Sequence, residues 1–406
     1  MSLYRTGFLI RRIFVLFWVF IGLLISLGLI GRITDGLVRN VTKTSCEKAS
    51  RGFGEFSPPS IVPSGKVNIF KPTKFGVDTS PSGNLPSLDA TFRNGCSDPA
   101  NENLLVNIYQ IQIPTLQNES RTIGLQLAKD LEFNDPAKET NDGSINFSWA
   151  DDKRRLTYNV EMRTFEYFTN NISTVDTASA SPGDPNVAQQ YLTNLLRDIN
   201  IKTDDPLSYF RSVYVKYNYE TATWDLSPNN QPTNFVMSYY GRYSRARGNT
   251  PLPSFIDSDS TKADPHIVKE FYAGYDYSSM YLITKNTQIP KASDVVEIKF
   301  DKYNYDVTKP NVYDTKSVND AYNDIQNGKG TLVAVRKQKT GESIDNAILS
   351  GIKDVKVIGV AAGYYISPTR PEYAFPVYVF TTQFVTSTTG TNQEFGEAVY
   401  YVYAYR

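Results

Sequence analysis

The stretch that decides the fold is residues 397–405, Glu-Ala-Val-Tyr-Tyr-Val-Tyr-Ala-Tyr, close to the end of the chain. Successive side chains of a β-strand point to opposite faces of the sheet, and here both alternating sets are almost entirely aromatic or aliphatic. A strand that is apolar on both faces is typical of the middle of a sheet that is covered on both sides. We therefore predict a central strand at residues 397–405.

The residues before this strand predict a helix and further strands. Ser317-Val-Asn-Asp320 is a capping-box pattern, in which a serine and an acidic residue three positions later bind each other's backbone N–H groups at a helix start. Apolar residues recur at helical spacing as far as Ile325, and Asn327-Gly-Lys-Gly330 ends the helix. The strands of this unit, residues 306–406, are predicted at 331–335, 355–365, 376–383 and 397–405.

The same order of a helix followed by strands occurs twice earlier. In residues 101–175 we predict a helix capped by Ser120, with strands at 104–113, 145–149, 156–160 and 165–168. In residues 184–305 a helix begins at Asp184-Pro185, and strands follow near 213–219, 235–239, 280–282 and 296–300, with a long loop at 246–265. The repetition predicts an α+β fold of tandem units, each packing a helix on an antiparallel sheet.

The N-terminal segment predicts a membrane anchor. Residues 13–30 are 18 positions without a charge, enough for a helix of about 27 Å. Arg5, Arg11 and Arg12 precede the run, which favours a cytoplasmic N-terminus at 1–12, a transmembrane signal anchor at 13–31 and an extracytoplasmic remainder at 32–406. The cleaved signal peptide is the alternative, but no small-x-small site follows. Residues 32–100, rich in proline and serine, are predicted to form a stalk or arm.

Composition argues against two classes of function. Lys+Arg and Asp+Glu both number 42, so the chain lacks the basic excess of a nucleic-acid binder. It has a single histidine, His266, and two cysteines, which removes most of the usual general bases and transition-metal ligands. We therefore predict no catalytic residues, no metal site and no cofactor. Cys46 and Cys96 can either form a disulfide or remain as two thiols.

The 28 tyrosines provide the candidate binding residues. Tyr239 ends one predicted strand and Tyr240 and Arg242 lie just beyond it, while Tyr364 and Tyr365 end another predicted strand. Tyrosine is enriched at protein interfaces, which favours a contact surface. A tyrosine-lined sheet is equally what a core looks like, so both interpretations stay open. The paired carboxylates Asp151-Asp152 are interpreted as a solvated turn.

Three segments of the last unit resemble a known family. Residues 313–330, 355–365 and 375–380 are similar, in this order, to the helix and two strands of the C-terminal module of the YycI/YycH group of bacterial regulators. The resemblance covers roughly residues 315–381, and the tyrosine-rich middle unit has no counterpart in that group. It implies a PepSY-like fold and a single-pass membrane protein whose external modules influence a sensor histidine kinase.

Together these features predict a non-catalytic, membrane-anchored binding or regulatory protein of the bacterial cell envelope. Its partners would be the lipid bilayer, through residues 13–31, and an envelope or membrane protein. An envelope-associated enzyme or enzyme inhibitor is one alternative, and a structural surface protein is another. An enzyme predicts a deep pocket with polar groups converging on His266 or a carboxylate pair, whereas a binding module predicts a shallow groove between helix and sheet.

Overall fold

The structure is a computed structural model that describes residues 52–55, 57–77, 105–112, 117–141, 144–170, 172, 184–200, 208–219, 223–227, 235–245, 267–272, 280–303, 305–306, 311–368, 372–389 and 392–405. These residues form seventeen strands and four α-helices. The strands are β1 (Lys74–Val77), β2 (Leu105–Gln110), β3 (Lys138–Asn141), β4 (Ile145–Ala150), β5 (Arg154–Asn159), β6 (Thr164–Thr169), β7 (Ser208–Asn218), β8 (Thr223–Ser227), β9 (Phe235–Arg245), β10 (Ile267–Phe271), β11 (Met280–Lys285), β12 (Val295–Phe300), β13 (Asn311–Asp314), β14 (Thr331–Lys337), β15 (Asp354–Ile366), β16 (Tyr373–Thr389) and β17 (Asn392–Tyr403). The helices are α1 (Gln117–Asp130), α2 (Pro185–Asp198), α3 (Val318–Gln326) and α4 (Asn346–Gly351), and a 3₁₀ turn (Ala292–Asp294) precedes β12.

Nine strands form an antiparallel sheet, which we call the large sheet. Their order is β3-β4-β5-β6-β12-β11-β9-β7-β8. The helices α1 and α2 cover one face, where Leu127 of α1 and Leu196 of α2 share a core with Tyr158, Phe165 and Phe300 of the sheet. Each such side chain contributes roughly 1.5–3 kcal/mol on burial, so this layer holds the helices on the sheet.

The second sheet is built on four long neighbours in the order β14-β17-β16-β15. The strands β1 and β10 run parallel to β15 and pair with its first and last residues respectively. The strand β2 pairs with the start of β16, and β13 pairs with β2. Ala321 and Ile325 of α3 belong to the same core cluster as Leu332 and Val402 of this sheet.

The strand β17 confirms the prediction made from residues 397–405. It lies between β14 and β16, and both of its faces are buried. Tyr400 and Val402 belong to one core cluster, whereas Val399 and Tyr401 belong to another. Its apolar residues on both faces are therefore explained by two separate cores.

The strand β9 connects the two sheets. Its first five residues pair with β11, while Tyr243–Arg245 pair with β10, which in turn pairs with β15. Strand pairing also crosses the boundaries that we predicted between units, because β6 pairs with β12 and β2 pairs with β13. The three predicted segments therefore share their sheets.

Part of the predicted stalk is packed on the second sheet. Phe70 is buried in the core of that sheet, and β1 pairs with β15. The Tyr322 hydroxyl donates to the carbonyl of Phe75 at 2.7 Å, and the Tyr403 hydroxyl donates to the carbonyl of Pro59 at 2.7 Å. Residues 57–77 are thus held along the sheet by strand pairing, apolar burial and side-chain hydrogen bonds.

Two predicted helix starts are confirmed and one is wrong. Asp184 caps α2 by accepting from the N–H of Asn186, and Ser317 and Asp320 make both bonds of the capping box of α3. The helix α1 begins at Gln117, so Ser120 lies inside it. Ser120 is buried, where its hydroxyl donates to the carbonyl of Val160 and lies 3.0 Å from the hydroxyl of Tyr158. Its oxygen binds the sheet instead of capping the helix.

The predicted fold class, tandem helix-on-antiparallel-sheet units behind an N-terminal transmembrane helix, is wrong. The described chain is dominated by strands, which join into two large sheets instead of one sheet per unit. Periodicity along the chain reports which residues form a strand but not which strand becomes its partner. The units therefore looked separate in sequence because their pairing is long-range.

The prediction of a single-pass membrane protein with a signal anchor is also contradicted. None of the helices in the described ranges is long and apolar enough to cross a bilayer. The longest two have 14 residues each, whereas a span needs about 20. The segment 13–31, on which that prediction was based, lies outside the described residues.

Gly124 provides a test of how closely α1 packs on the large sheet. A Cβ at this position would lie 2.6 Å from Cδ1 of Tyr158, a fully buried ring. Alanine gains about 1 kcal/mol of helix propensity, but overpacking a core costs about 1–3 kcal/mol, so Gly124→Ala should lower the free energy of unfolding by about 1 kcal/mol. The measurement is urea denaturation. Gly351→Ala is the matched control, since a Cβ there meets nothing within 4 Å. An equal response of both variants would contradict the close packing.

Candidate functional site

A cleft lies at one end of the large sheet, where the β4–β5 turn, the end of β6, the end of β11 and the start of β12 come together. It has a volume of about 930 Å³, within the range of small-molecule sites. The end of α1 forms one wall. The lining residues are Glu132, Asp151, Asp152, Lys153, Arg154, Tyr167, Thr169, Lys285, Ser293, Val295 and Val296.

Arg154 binds the β4–β5 turn to the end of α1. Its Nη1 donates to the carbonyl of Leu131 at 2.7 Å, and its Nη2 donates to the carbonyl of Glu132 at 2.9 Å. Its Nε donates to a carboxylate oxygen of Asp151, and its guanidinium lies 4.6 Å from the ring centre of Phe133. A cation at a helix C-terminus satisfies carbonyls that have no partner within the helix. Arg154 is therefore a structural residue of the cleft wall.

The carboxylate of Asp151 is hydrogen-bonded within its own turn. One carboxylate oxygen accepts from the N–H groups of Lys153 and Arg154, both at 2.9 Å, and the other accepts from the side chain of Arg154. Burial acts to raise the pKa of Asp151, but these hydrogen bonds outweigh burial and hold the pKa below its ordinary value. The prediction that Asp151-Asp152 forms a turn is confirmed for Asp151.

Glu132 lies at the cleft in an unusual backbone conformation. Its φ is 62°, in the left-handed region where glycine is favoured. The N–H of Phe133 donates to the carbonyl of Ala128, and the N–H of Glu132 donates to the carbonyl of Lys129, which is the Schellman pattern of a helix end. The Glu132 carboxylate has no hydrogen-bond or ion-pair partner among the described residues. The helix end thus presents an unpaired carboxylate to the cleft.

The pKa of the Tyr191 hydroxyl, on α2, is raised by burial and by nearby carboxylates. Burial raises the pKa of its hydroxyl, and the negative charges of Glu132, Asp130 and Asp294 raise it further, to about 12. Asp130 Oδ1 accepts from Gln126, while Asp130 Oδ2 is shielded from solvent and has no hydrogen-bond partner in the part of the chain that the structure describes. Burial and these carboxylates therefore both keep the Tyr191 hydroxyl protonated.

Lys285 and Ser293 form the opposite end of the cleft. Lys285 Nζ lies 3.8 Å from a carboxylate oxygen of Asp294, and the other Asp294 oxygen accepts from the N–H of Lys291. The contact is a loose ion pair, since it is longer than a charge-assisted hydrogen bond. Ser293 is exposed at the rim. This end is close to electrically neutral, because Lys285 and Asp294 offset each other.

The resolved pKa shifts at the cleft all lead away from neutral pH. The pKa of Asp151 is lowered, whereas burial raises the pKa values of Tyr167 and Tyr191. Each shift moves the group further from neutral pH, the opposite of what a general acid or base needs. No group of three potential metal ligands occurs among the described residues.

The tyrosines that the sequence suggested as binding residues are in the protein's interior. Tyr239 belongs to the large sheet, and Tyr240 is in the core under α1 and α2. Tyr364 and Tyr365 are buried in the second sheet, at 1% and 0% exposure. As placed here, their rings contact the protein's own core, so a binding role for these residues stays a prediction.

Other candidates from the sequence lie outside the described residues. These are His266, Cys46 and Cys96, and also the side chain of Arg242, although its backbone belongs to β9. The cleft itself was not predicted, because its residues come from five separate segments of the chain. The polar residues Asp151–Arg154 indicated an exposed turn. No pattern in the sequence shows that this turn lies close to Lys285 in the folded chain.

A second polar cluster lies on the face of the large sheet opposite α1 and α2. Glu297 accepts from the indole N–H of Trp224 at 2.8 Å and from the Tyr281 hydroxyl at 2.6 Å. Lys299 Nζ lies between Glu166, at 3.0 Å, and Asp301, at 3.5 Å. Burial raises the pKa of Asp301 to about 6, with Lys299 opposing the shift and Glu166 adding to it.

Comparison with known proteins assigns the chain neither to a family nor to a function. No family model matches the chain, and no curated protein matches it. A solved structure of an uncharacterized protein from Eubacterium rectale is similar at a TM-score of 0.30 and 9% identity, over 74% of this chain and 84% of that chain. A TM-score this low carries no inference about fold or function. The resemblance to YycI/YycH proteins stays a prediction.

The buried carboxyl of Asp301 predicts a pH dependence of stability. Its pKa in the folded state is about 6, above the ordinary 3.8, so the folded protein binds the extra proton and is destabilised as the pH rises through about 4 to 7. Asp301→Asn should remove this dependence and stabilise the protein at pH 7.5 by on the order of 1–2 kcal/mol. Thermal unfolding from pH 4 to 8 measures it, with Asp354→Asn, whose side chain is 72% exposed, as control. A variant that keeps the wild-type pH slope would show that Asp301 does not cause it.

Two substitutions at Glu132 separate the effect of its backbone conformation on stability from the effect of its carboxylate. Glycine adopts positive φ without the strain of about 1 kcal/mol that a side chain brings, so Glu132→Gly should be more stable by up to about that amount. Glu132→Gln keeps the strain and should change the free energy of unfolding by less than about 0.5 kcal/mol. Chemical denaturation of both variants is the measurement. A glycine variant less stable than the glutamine variant would rule out strain at this position.

Proposed function

We propose that this protein is a non-catalytic binding protein and that the cleft at the end of α1 holds its ligand. The observation that carries the proposal is the cleft of about 930 Å³, with side chains of both signs of charge around it. A ligand pocket combines a concave surface with a few polar groups that fix orientation. Glu132 and Lys285 at its two ends serve that purpose here.

The state of the lining residues supports binding. Arg154 and Asp151 hold the wall in shape through hydrogen bonds to backbone groups and to each other. Glu132 and Asp152, by contrast, have carboxylates without a partner among the described residues. A rigid wall with unpaired charges is pre-organised, which lowers the entropic cost of binding a ligand.

A cleft-filling substitution tests the proposal. Ser293 is exposed at the rim on the 3₁₀ turn, so Ser293→Trp should fold normally while filling the cleft. The assay is ligand-observed NMR with a fragment library of amines, acids, sugars and short peptides. Fragments that bind the wild type should lose at least about tenfold in affinity, since a displaced ligand forfeits more than 1.4 kcal/mol of contacts.

Ser350→Trp is the matched control, because Ser350 is an exposed serine on α4, away from the cleft lining. It should bind the same fragments with unchanged affinity. The cleft is not the binding site if Ser293→Trp retains every interaction of the wild type, or if the wild type binds no member of the library.

A further inference from the structure

Residues 57–63, Ser-Pro-Pro-Ser-Ile-Val-Pro, lie on the second sheet as an extended segment outside any strand. Pro59 and Ile61 are buried, whereas the residues on either side of each are exposed. This alternation with a period of two places one edge of the segment against the protein and the other in solvent. Only two of the seven side chains are therefore buried in the contact.

Tyrosine hydroxyls hold the backbone of residues 57–63. The Tyr403 hydroxyl donates to the carbonyl of Pro59 at 2.7 Å, and the Tyr365 hydroxyl accepts from the N–H of Val62 at 3.4 Å. No backbone-to-backbone hydrogen bond of these seven residues occurs within the part of the chain that the structure describes. The segment is thus bound by side chains of the sheet and not by strand pairing.

The two tyrosines belong to one face of the second sheet. We call this part of it the tyrosine surface and define it by Val333, Tyr365, Val399, Tyr401 and Tyr403. Ile61 belongs to the same apolar cluster and is 7% exposed. The rings of Tyr365 and Tyr403 meet at a centroid distance of 6.4 Å, nearly edge to face. The tyrosine surface therefore combines apolar contact for a side chain with hydroxyls that bind backbone groups.

The composition of residues 57–63 suits recognition by aromatic side chains. Three of the seven residues are prolines, which lack the N–H that a strand needs for its ladder. A proline-rich segment is already extended when it is free, so it loses little conformational freedom on binding, and aromatic surfaces recognise such segments in many proteins. The tyrosine surface and residues 57–63 thus have the chemistry of a peptide-recognition site and its ligand.

We propose that the tyrosine surface recognises an extended proline-rich segment of another protein, and that residues 57–63 occupy it as an intramolecular ligand. The partner offers a proline carbonyl to Tyr403 and, two residues further on, a branched aliphatic side chain in the place of Ile61. Release of residues 57–63 breaks the two tyrosine hydrogen bonds and leaves the pairing of β1 with β15 intact. This second surface belongs to the other sheet, and the proposal does not depend on the cleft.

Peptide binding to a chain with a weakened internal ligand tests the proposal. The probe is a fluorescein-labelled Ser-Pro-Pro-Ser-Ile-Val-Pro amide, and its fluorescence anisotropy measures the affinity. In the wild type the tethered segment competes at a high effective concentration, so the probe should bind weakly. Ile61→Ala shortens the internal side chain, and this variant should bind the probe at least about tenfold more tightly than the wild type. Ile61→Val removes one methylene, so it keeps the fold if Ile61→Ala does not, and it should gain about threefold.

The control probe is the same peptide with serine in place of isoleucine. It should bind the Ile61 variants at least about tenfold more weakly than the isoleucine peptide, because it has no side chain to fill the vacated apolar contact. The proposal is wrong if neither Ile61 variant binds the isoleucine peptide more tightly than the wild type does, or if the two peptides bind equally.

The role of the Tyr403 hydroxyl is tested in the Ile61→Val chain. Tyr403→Phe should weaken binding of the isoleucine peptide about fivefold, because it removes the donor to the proline carbonyl and keeps the ring. Tyr219→Phe is the matched control, since Tyr219 is 66% exposed and directly follows β7 of the large sheet, and it should leave the affinity unchanged. Equal effects of the two substitutions would exclude Tyr403 from the recognition site.

Light scattering distinguishes another protein from a second copy of this chain, which carries the same seven residues. The mass of the wild type in solution should be the same with and without the isoleucine peptide. A wild-type dimer that the peptide dissociates would overturn the choice of partner, since the tyrosine surface would then hold residues 57–63 of a second copy.

Discussion

The antiparallel pairing of β6 with β12 is the constraint on which the rest of the large sheet depends. Phe165–Phe168 lie opposite Glu297–Phe300, joining strands that are about 130 residues apart in sequence. Without this pairing the β4–β5 turn and the end of β11 would belong to separate sheets. Because the pairing is in register, Thr169 and Val295 lie side by side, and the cleft opens at that end. The stacked rings of Phe165 and Phe300, with centroids 5.1 Å apart, stabilise the same junction.

The residues of β12 differ in polarity between the two faces of the large sheet. Ile298 and Phe300 face the helices and belong to the apolar core. Glu297 and Lys299 alternate with them, so they point to the other face, where their charges are held by Tyr281 and Glu166. Charge inside a sheet is tolerated only when it is paired and hydrogen-bonded. At Asp301 the effect of burial outweighs that of the ion pair with Lys299, so its pKa is raised to about 6.

Local features of the fold could be predicted, and the candidate site could not. The capping residues Asp184 and Ser317 act within a few positions of their partners, so the sequence pattern is sufficient to place them. Ser120 shows the limit, because its pattern is that of a cap while its oxygen binds Tyr158 and Val160 across the core. The strands β1, β3, β8, β10 and β13 were not predicted, since they are short and are defined by their neighbours more than by their own residues.

By itself the sequence determined the central position of β17, the alternating strands of the β4–β5 hairpin and the starts of α2 and α3. These features depend on side-chain periodicity and on hydrogen bonds between near neighbours. Only the tertiary structure decided that seventeen strands join into two sheets, that Tyr240, Tyr364 and Tyr365 are core residues, and that the end of α1 faces the cleft. The physical reason is that strand pairing and burial are long-range: a tyrosine in a strand looks the same in sequence whether its ring meets solvent or another sheet.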